Sequence, residues 1–207
     1  LIKPEAHLNA GLFLDTRNIR SRLRNISLGK RVLNTFCFSG TLGVAAAVGG
    51  ASEVVQLDSS KSALNWAREN YHLNAENIKA NIRYIPDHVP RFLEKEIRRI
   101  QNGRPSFDIV ILDPPAFGRA GKDTFQFERD AFSLVESSLE LLSKQGRLFF
   151  STNSGETSNF DLIDIVRSAA SNLNRSLKDI QKVKLPLDFT APESKSGAMR
   201  GIEAEFC

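Results

Sequence analysis

The sequence is poor in the residues that cross-link or anchor a protein. Among its 207 residues are two cysteines, Cys37 and Cys207. That is too few for a disulfide framework or a cysteine-based metal site, and it fits a reducing, cytoplasmic setting. The three histidines, His7, His72 and His88, are scattered, so no metal-ligand spacing arises and no metal is expected. His7 and His72 read as surface residues. The longest uninterrupted apolar run covers residues 44–48, whereas a membrane-spanning helix needs about 20 apolar residues. No membrane partner is expected. The first residue is Leu1 rather than Met, and no charged-then-apolar export pattern follows it. The chain is therefore expected to derive from something longer. No internal repeat, low-complexity tract or linker divides it, and the length fits one domain.

What is present is ordinary for a globular domain. Hydrophobic residues make up 41% and charged residues 25%, which argues against disorder and coiled coil. The net charge of +4 permits a nucleic-acid partner without requiring one. The basic residues are unevenly spread: Arg17, Arg20, Arg22, Arg24, Lys30 and Arg31 occur with no acid among them. Such a run is either a solvated helix face or a stripe that neutralises phosphate. Arg119 and Lys122 would extend the second reading.

The hydrophobic pattern switches period repeatedly. Residues 31–36, 53–57, 81–85, 107–112 and 148–152 read as strands. Helices are expected after the turn at 39–43, over 63–74 with Ser59 or Ser60 as N-cap, over 89–100, over 131–142 and over 161–170. The run at 107–112 is apolar almost throughout, as in a strand buried on both faces of a parallel sheet. Residues 118–122 read as a polar loop, and 178–185 with 201–206 as a final antiparallel pair. This pattern predicts an α/β fold: a doubly wound, mostly parallel, seven-stranded sheet with helices on both faces. Residues 1–30 form an amino-terminal arm, helical over 15–28, and residues 31–207 form the domain.

In such sheets ligands bind beyond the carboxyl ends of the strands. Polar clusters fall there: Phe36, Phe38, Ser39 and Gly40 after the first strand, Asp58 and Ser59 after the second, Asp87 and His88 after the third. Asp113-Pro-Pro-Ala-Phe117 and Ser151-Thr-Asn-Ser-Gly155 follow the next two. Gly40 and Gly43 would let the backbone approach a ligand, and a carboxylate at Asp58 can accept both hydroxyls of a ribose. A tight turn and a helix N-cap would explain each feature separately; together they suggest a nucleoside-containing cofactor, either a dinucleotide or S-adenosylmethionine. The turn lacks G-x-G-x-x-G and carries bulky Phe36 and Phe38, which counts against a dinucleotide. Pro114 and Pro115 make a rigid loop without N–H donors, so carbonyls and the Asp113 carboxylate act as acceptors. Phe117 could stack on a base. This combination suits an amino-bearing heterocycle held beside a methyl donor.

Several segments carry a resemblance: Gly11-Leu-Phe-Leu-Asp-Thr-Arg17, Leu33-Asn-Thr-Phe-Cys-Phe-Ser-Gly40, Val55-Gln-Leu-Asp-Ser59, Trp66-Ala-Arg-Glu-Asn70 and Leu112-Asp-Pro-Pro-Ala-Phe117. Over about residues 8–206 the chain resembles the catalytic domain of class I S-adenosylmethionine-dependent methyltransferases, and among them the bacterial large-subunit ribosomal RNA base methyltransferases. The resemblance implies a Rossmann-like fold, S-adenosylmethionine as cofactor and ribosomal RNA as partner. It implies cofactor contacts from Arg17, Phe36, Phe38, Ser39, Gly40, Asp58, Ser59, Asp87, His88 and Asp113. Within them, the first turn takes the methionine part, Asp58 the ribose and Asp87 the adenine amine. The family carries a further amino-terminal RNA-binding module that is not among these residues.

The target atom can be read in part. Methylation of cytosine carbon-5 usually needs a cysteine thiolate to add to the ring. In the cytosine branch that cysteine lies in the loop after the fifth strand, where this chain has Asn153. Cys37 reads as a packing residue and Cys207 is terminal. Transfer to nitrogen, positioned by Asp113 and Asn153 with Pro114, Pro115 and Phe117, is therefore favoured over cytosine C5. A methyltransferase for a small molecule or protein is the alternative within enzymes. A dinucleotide oxidoreductase fits less well, since the glycine fingerprint is absent and Asp-Pro-Pro is present, and a non-enzymatic RNA-binding module would not need Asp58, Asp87 and Asp113 at three strand ends.

Overall fold

The computed structural model describes residues 2, 10–120, 123–154, 157–189 and 199–207. His7, Lys122 and Gly155 lie outside them. The chain opens with helix α1 (Arg17–Ile26), then strand β1 (Arg31–Thr35), α2 (Thr41–Val48), β2 (Glu53–Asp58), α3 (Lys61–His72), β3 (Asn81–Pro86) and α4 (Val89–Gln101). It continues through β4 (Phe107–Leu112), β5 (Phe117–Ala120), β6 (Asp123–Gln126), α5 (Phe127–Leu141), β7 (Leu142–Thr152), α6 (Asn159–Asn172), β8 (Leu177–Lys182) and β9 (Arg200–Phe206).

Seven strands form one sheet in the order β3-β2-β1-β4-β7-β9-β8. β3, β2, β1, β4 and β7 are mutually parallel, and β9 runs antiparallel to both β7 and β8. The reversed strand of the expected final pair is thus β9, inserted between its neighbours. Side chains alternate between two apolar layers, as the period of a strand requires. Leu33, Val55, Val110, Leu112, Leu148 and Phe150 face the layer built with α4, α5 and α6. Val32, Val54, Ile109, Ile111 and Phe149 face the layer that contains Ile19 and Leu23 of α1 and Ala46 and Ala47 of α2. Both faces are covered, which is why β4 tolerates no polar alternation. From β1 the chain winds out to β3 and returns to β4 beside β1. The β1/β4 boundary is therefore the topological switch point, where a crevice opens.

Three local expectations are refined. Within the expected loop, residues 118–120 belong to β5, which pairs antiparallel with β6 as a separate hairpin, with Gly118 opposite Phe125. An isolated two-stranded hairpin is marginal in water. This one is anchored by buried Phe125, whose ring centroid lies 5.5 Å from that of Phe36. Leu142, expected on the helix, starts β7. The Arg175 guanidinium donates to the carbonyls of Leu139, Leu142 (2.9 Å) and Ser143 (2.6 Å), satisfying the helix-end carbonyls that would otherwise continue the ladder. Ser60, not Ser59, is the N-cap of α3, accepting from the Ala63 N–H at 3.2 Å.

Candidate functional site

A cleft of about 350 Å³ lies beyond the carboxyl ends of β1, β2, β4 and β7. Its floor is the turn after β1. Phe36 and Phe38 both have positive φ, 49° and 47°, a strained conformation for aromatic residues of the kind found at ligand sites. The turn is held from behind. Asn34 Nδ2 donates to Gln56 Oε1 at 2.8 Å, and Gln56 Nε2 donates to the Gly40 carbonyl at 3.1 Å. A Cβ on Gly43 would lie 2.3 Å from Gln56 Nε2, and one on Gly40 would lie 2.7 Å from Ala67 Cβ. The two glycines thus admit Gln56 and α3 rather than a ligand, and neither lines the cleft. Ser39 does line it, and its hydroxyl donates to the Gly11 carbonyl at 2.6 Å.

Asp58 joins two elements. One oxygen accepts from the Phe38 N–H and the other from the Ser60 N–H, both at 2.9 Å. It fixes the turn to the start of α3 while facing the cleft beside Ser59 and His88. Asp113, Pro114, Pro115 and Asn153 form the opposite wall. Asp113 accepts from the Ser151 hydroxyl at 2.7 Å. Burial pushes its carboxyl pKa above the usual range, Ser151 opposes that shift, and the nearby Asp15 carboxylate adds to it. Cys37 also lines the cleft, but burial, reinforced by Asp58, pushes its thiol well up, so it is held as the unreactive thiol.

Besides Gly40, three expected residues are elsewhere. Arg17 lies on α1 and pairs with Asp188, so it is not part of the cleft wall. The Asp87 carboxylate turns to its own helix. It caps the His88 N–H at 2.8 Å, accepts from Arg91 Nε at 2.7 Å and pairs with Lys95 at 3.1 Å, and these contacts hold its carboxyl low against its burial. Phe117 is 62% exposed and stands outside the lining. Conversely, sequence reasoning passed over Phe13, Asp15, Thr16, Asn34, Phe125 and Met199, all of which line the cleft. Only the segment 11–17 carried a signal for the first three, and there Arg17 was singled out. Asn34 reads as one polar letter in a buried strand. Its Oδ1 is buried with no donor, a feature visible only in three dimensions.

The donor set discriminates between cofactors. Asp15, Asp58 and Asp113 line the cleft, and no Lys or Arg does so among the described residues. A pyrophosphate would meet carboxylates without a compensating cation or glycine-rich N–H cradle. A cationic nucleoside such as S-adenosylmethionine fits: Asp58 suits hydroxyls, and the buried acceptors suit positive charge. Among the described residues no group of three or more His, Cys, Asp or Glu could hold a metal ion, and no helix is long and apolar enough to cross a membrane.

Fold and site together define a nucleoside-cofactor enzyme of the doubly wound α/β class. Residues 4–199 match the S-adenosylmethionine-dependent methyltransferase family, and the chain belongs to it. It is 34% identical over 187 residues to the ribosomal RNA large subunit methyltransferase K of Neisseria meningitidis, covering 89% of this chain and 49% of the relative. It is 40% identical over 149 residues to the ribosomal RNA large subunit methyltransferase K/L of Chromohalobacter salexigens, covering 71% of this chain and 19% of that protein. A methyltransferase solved in complex with SAH aligns over 96% of this chain and 51% of that chain, with a TM-score of 0.81 at 28% identity. The chain thus spans about half the length, or less, of these curated relatives.

Proposed function

We propose that this chain is the catalytic part of a cytoplasmic ribosomal RNA methyltransferase that methylates a base at nitrogen. The names of its relatives support the RNA substrate. The observation that carries the nitrogen assignment is the far wall of the cleft. Asn153 and Asp113 present acceptors there, and the lining cysteine, Cys37, is held as a buried thiol. Cytosine carbon-5 usually needs a thiolate to add to the ring first, whereas a nitrogen lone pair needs only orientation and an acceptor for its protons.

Bound S-adenosylmethionine supplies an activated methyl group. Asp58 and Ser59 hold the ribose side, and the strained turn at Phe36–Phe38 cradles the amino-acid side. Asp113 and Asn153 orient the target nitrogen, and Pro114 and Pro115 fix the loop that carries Asp113 without competing donors. Exposed Phe117 stacks on a neighbouring base outside the cleft, where aromatic–base stacking is worth about 1–3 kcal/mol.

The test is single-turnover transfer from labelled cofactor to unmodified ribosomal RNA, with the product mapped. Asp113→Ala should lower the rate by about 10²–10⁴-fold at saturating cofactor, with S-adenosylhomocysteine still bound. Cys37→Ala should remain active. A denaturation-resistant enzyme–RNA adduct, or an inactive but folded and cofactor-binding Cys37 variant, would restore the cytosine reading.

A further inference from the structure

The cleft contains two carboxylate oxygens that the fold leaves without a hydrogen bond among the described residues. Asp15 is 9% exposed, and its Oδ2 accepts from the Met199 N–H at 3.0 Å. Asp113 Oδ1 accepts from Ser151. Asp15 Oδ1 and Asp113 Oδ2 therefore make no hydrogen bond among the described residues. Asp58 differs, since both of its oxygens hold backbone N–H groups. The third open acceptor in the lining is the buried Asn34 Oδ1. The Arg20 guanidinium feels the charge of Asp15, yet among the described residues no Lys or Arg lines the cleft itself. Buried carboxylates whose charge is only partly compensated are costly, and a cationic ligand lowers that cost.

Asp15 is also held in place by the protein itself. The segment before α1 is tied down at Gly11 by Ser39 (2.6 Å) and at Phe13, whose carbonyl accepts from Thr16 (2.9 Å) and Arg20 (2.8 Å). Phe13 packs on Phe38 with ring centroids 5.8 Å apart. Met199, at the other end of the Asp15 bond, leads directly into β9. The carboxylate is thus fixed between two distant parts of the chain before any ligand arrives.

We propose that Asp15 is a charge-selecting residue, which with Asp113 forms an anionic wall that holds S-adenosylmethionine more tightly than S-adenosylhomocysteine. This inference rests on the methyltransferase reading and adds discrimination between cofactor and product. The two molecules share their nucleoside and amino-acid parts. They differ by a methyl cation: when the S–CH₃ bond breaks its electron pair stays on sulfur, and the sulfonium becomes a neutral thioether. A wall of fixed negative charge therefore loses its partner on turnover, which favours exchange of product for fresh cofactor. Electrostatic complementarity of this kind sets specificity through the charge that is lost.

Calorimetric titration of the 207-residue protein tests this with three ligands: S-adenosylmethionine, S-adenosylhomocysteine and an analogue bearing an ammonium-substituted carbon in place of the sulfonium. The parent protein should prefer both cationic ligands. Asp15→Asn keeps an acceptor for the Met199 N–H and nearly the same shape. It should weaken both cationic ligands by roughly 10- to 100-fold and leave S-adenosylhomocysteine unchanged. Asp113→Asn, which keeps its bond from Ser151, is read in the same way should the first variant fail to fold. Equal losses for all three ligands, or no loss, would overturn charge selection. Equal affinities in the parent would do the same while leaving the family reading intact. A parent protein that binds none of the three would overturn the cofactor reading itself.

Discussion

A carboxylate placed for chemistry works against the stability of the fold that carries it, and Asp113 is the case here. Burial raises its pKa above the ordinary carboxylate value, so the folded chain binds that proton more tightly than the unfolded chain does. Stability is then lost as pH rises from the ordinary value, about 3.9, toward the raised one. Asp113→Asn removes the penalty and keeps the acceptor for Ser151. Its unfolding midpoint at pH 7 should exceed the parent's, and the gain should shrink below about pH 4 as Asp113 protonates in both states. Thermal unfolding at the two pH values measures this; a variant less stable at pH 7 would contradict the burial argument. Such residues were legible by position, because the unbroken apolar run Ile109–Leu112 of a strand buried on both faces gives way at Asp113 to polar and proline residues. Asp87 was less so. It too ends a strand, yet Arg91 and Lys95, one and two turns along α4, hold its carboxylate on the helix.

Among elements, α1 is the helix expected before the first strand as an arm or cover, and it lies over the sheet. Ile19 and Leu23 are buried in the same layer as Val32 and Val54. α1 meets α2 closely enough that a Cβ on Gly49 would lie 2.3 Å from the Arg24 carbonyl oxygen and 2.7 Å from its Cα. Backbone cannot yield as a flexible side chain can. Gly49→Ala should therefore cost about 1–3 kcal/mol, as overpacking typically does. Because Arg20 of α1 also holds the Phe13 carbonyl and the Thr16 hydroxyl at the cleft, cofactor affinity should fall with it. Denaturant unfolding together with cofactor titration checks both, and an unchanged midpoint would mean that the two helices are not in contact. The β5–β6 hairpin shows the converse. Its polar sequence reads as loop, and only the long-range contact of Phe125 with Phe36 makes it a sheet.

At the scale of the whole molecule the net charge of +4 overstates the free positive surface. Arg17 faces Asp188, Arg22 faces Glu203 at 3.0 Å, Lys30 faces Asp108 at 3.6 Å, and Arg31 faces Glu53 at 2.8 Å. The run that reads as a phosphate stripe is largely matched by carboxylates from distant segments. Arg24 makes no ion pair among the described residues and remains exposed. Arg24→Ala should flatten the salt dependence of RNA binding by about one slope unit or less. A loss well above one unit would show that the whole stripe meets phosphate despite its partners.

Hydrophobic periodicity and strand-end chemistry are local, so the sequence alone determined the alternation of strands and helices, the buried centre at β4 and the positions of Asp58, Asp113 and Asn153 at strand ends. Which side chains reach the cleft depends on contacts between residues far apart in the chain. Asp15 faces the cleft because it is bonded to Met199, 184 positions away. Arg17 stays out of the wall and pairs with Asp188, and the glycine turn faces inward because Gln56 of the neighbouring strand fills the space behind it. Those partners are set by the order in which strands join the sheet, and tertiary structure alone decided them.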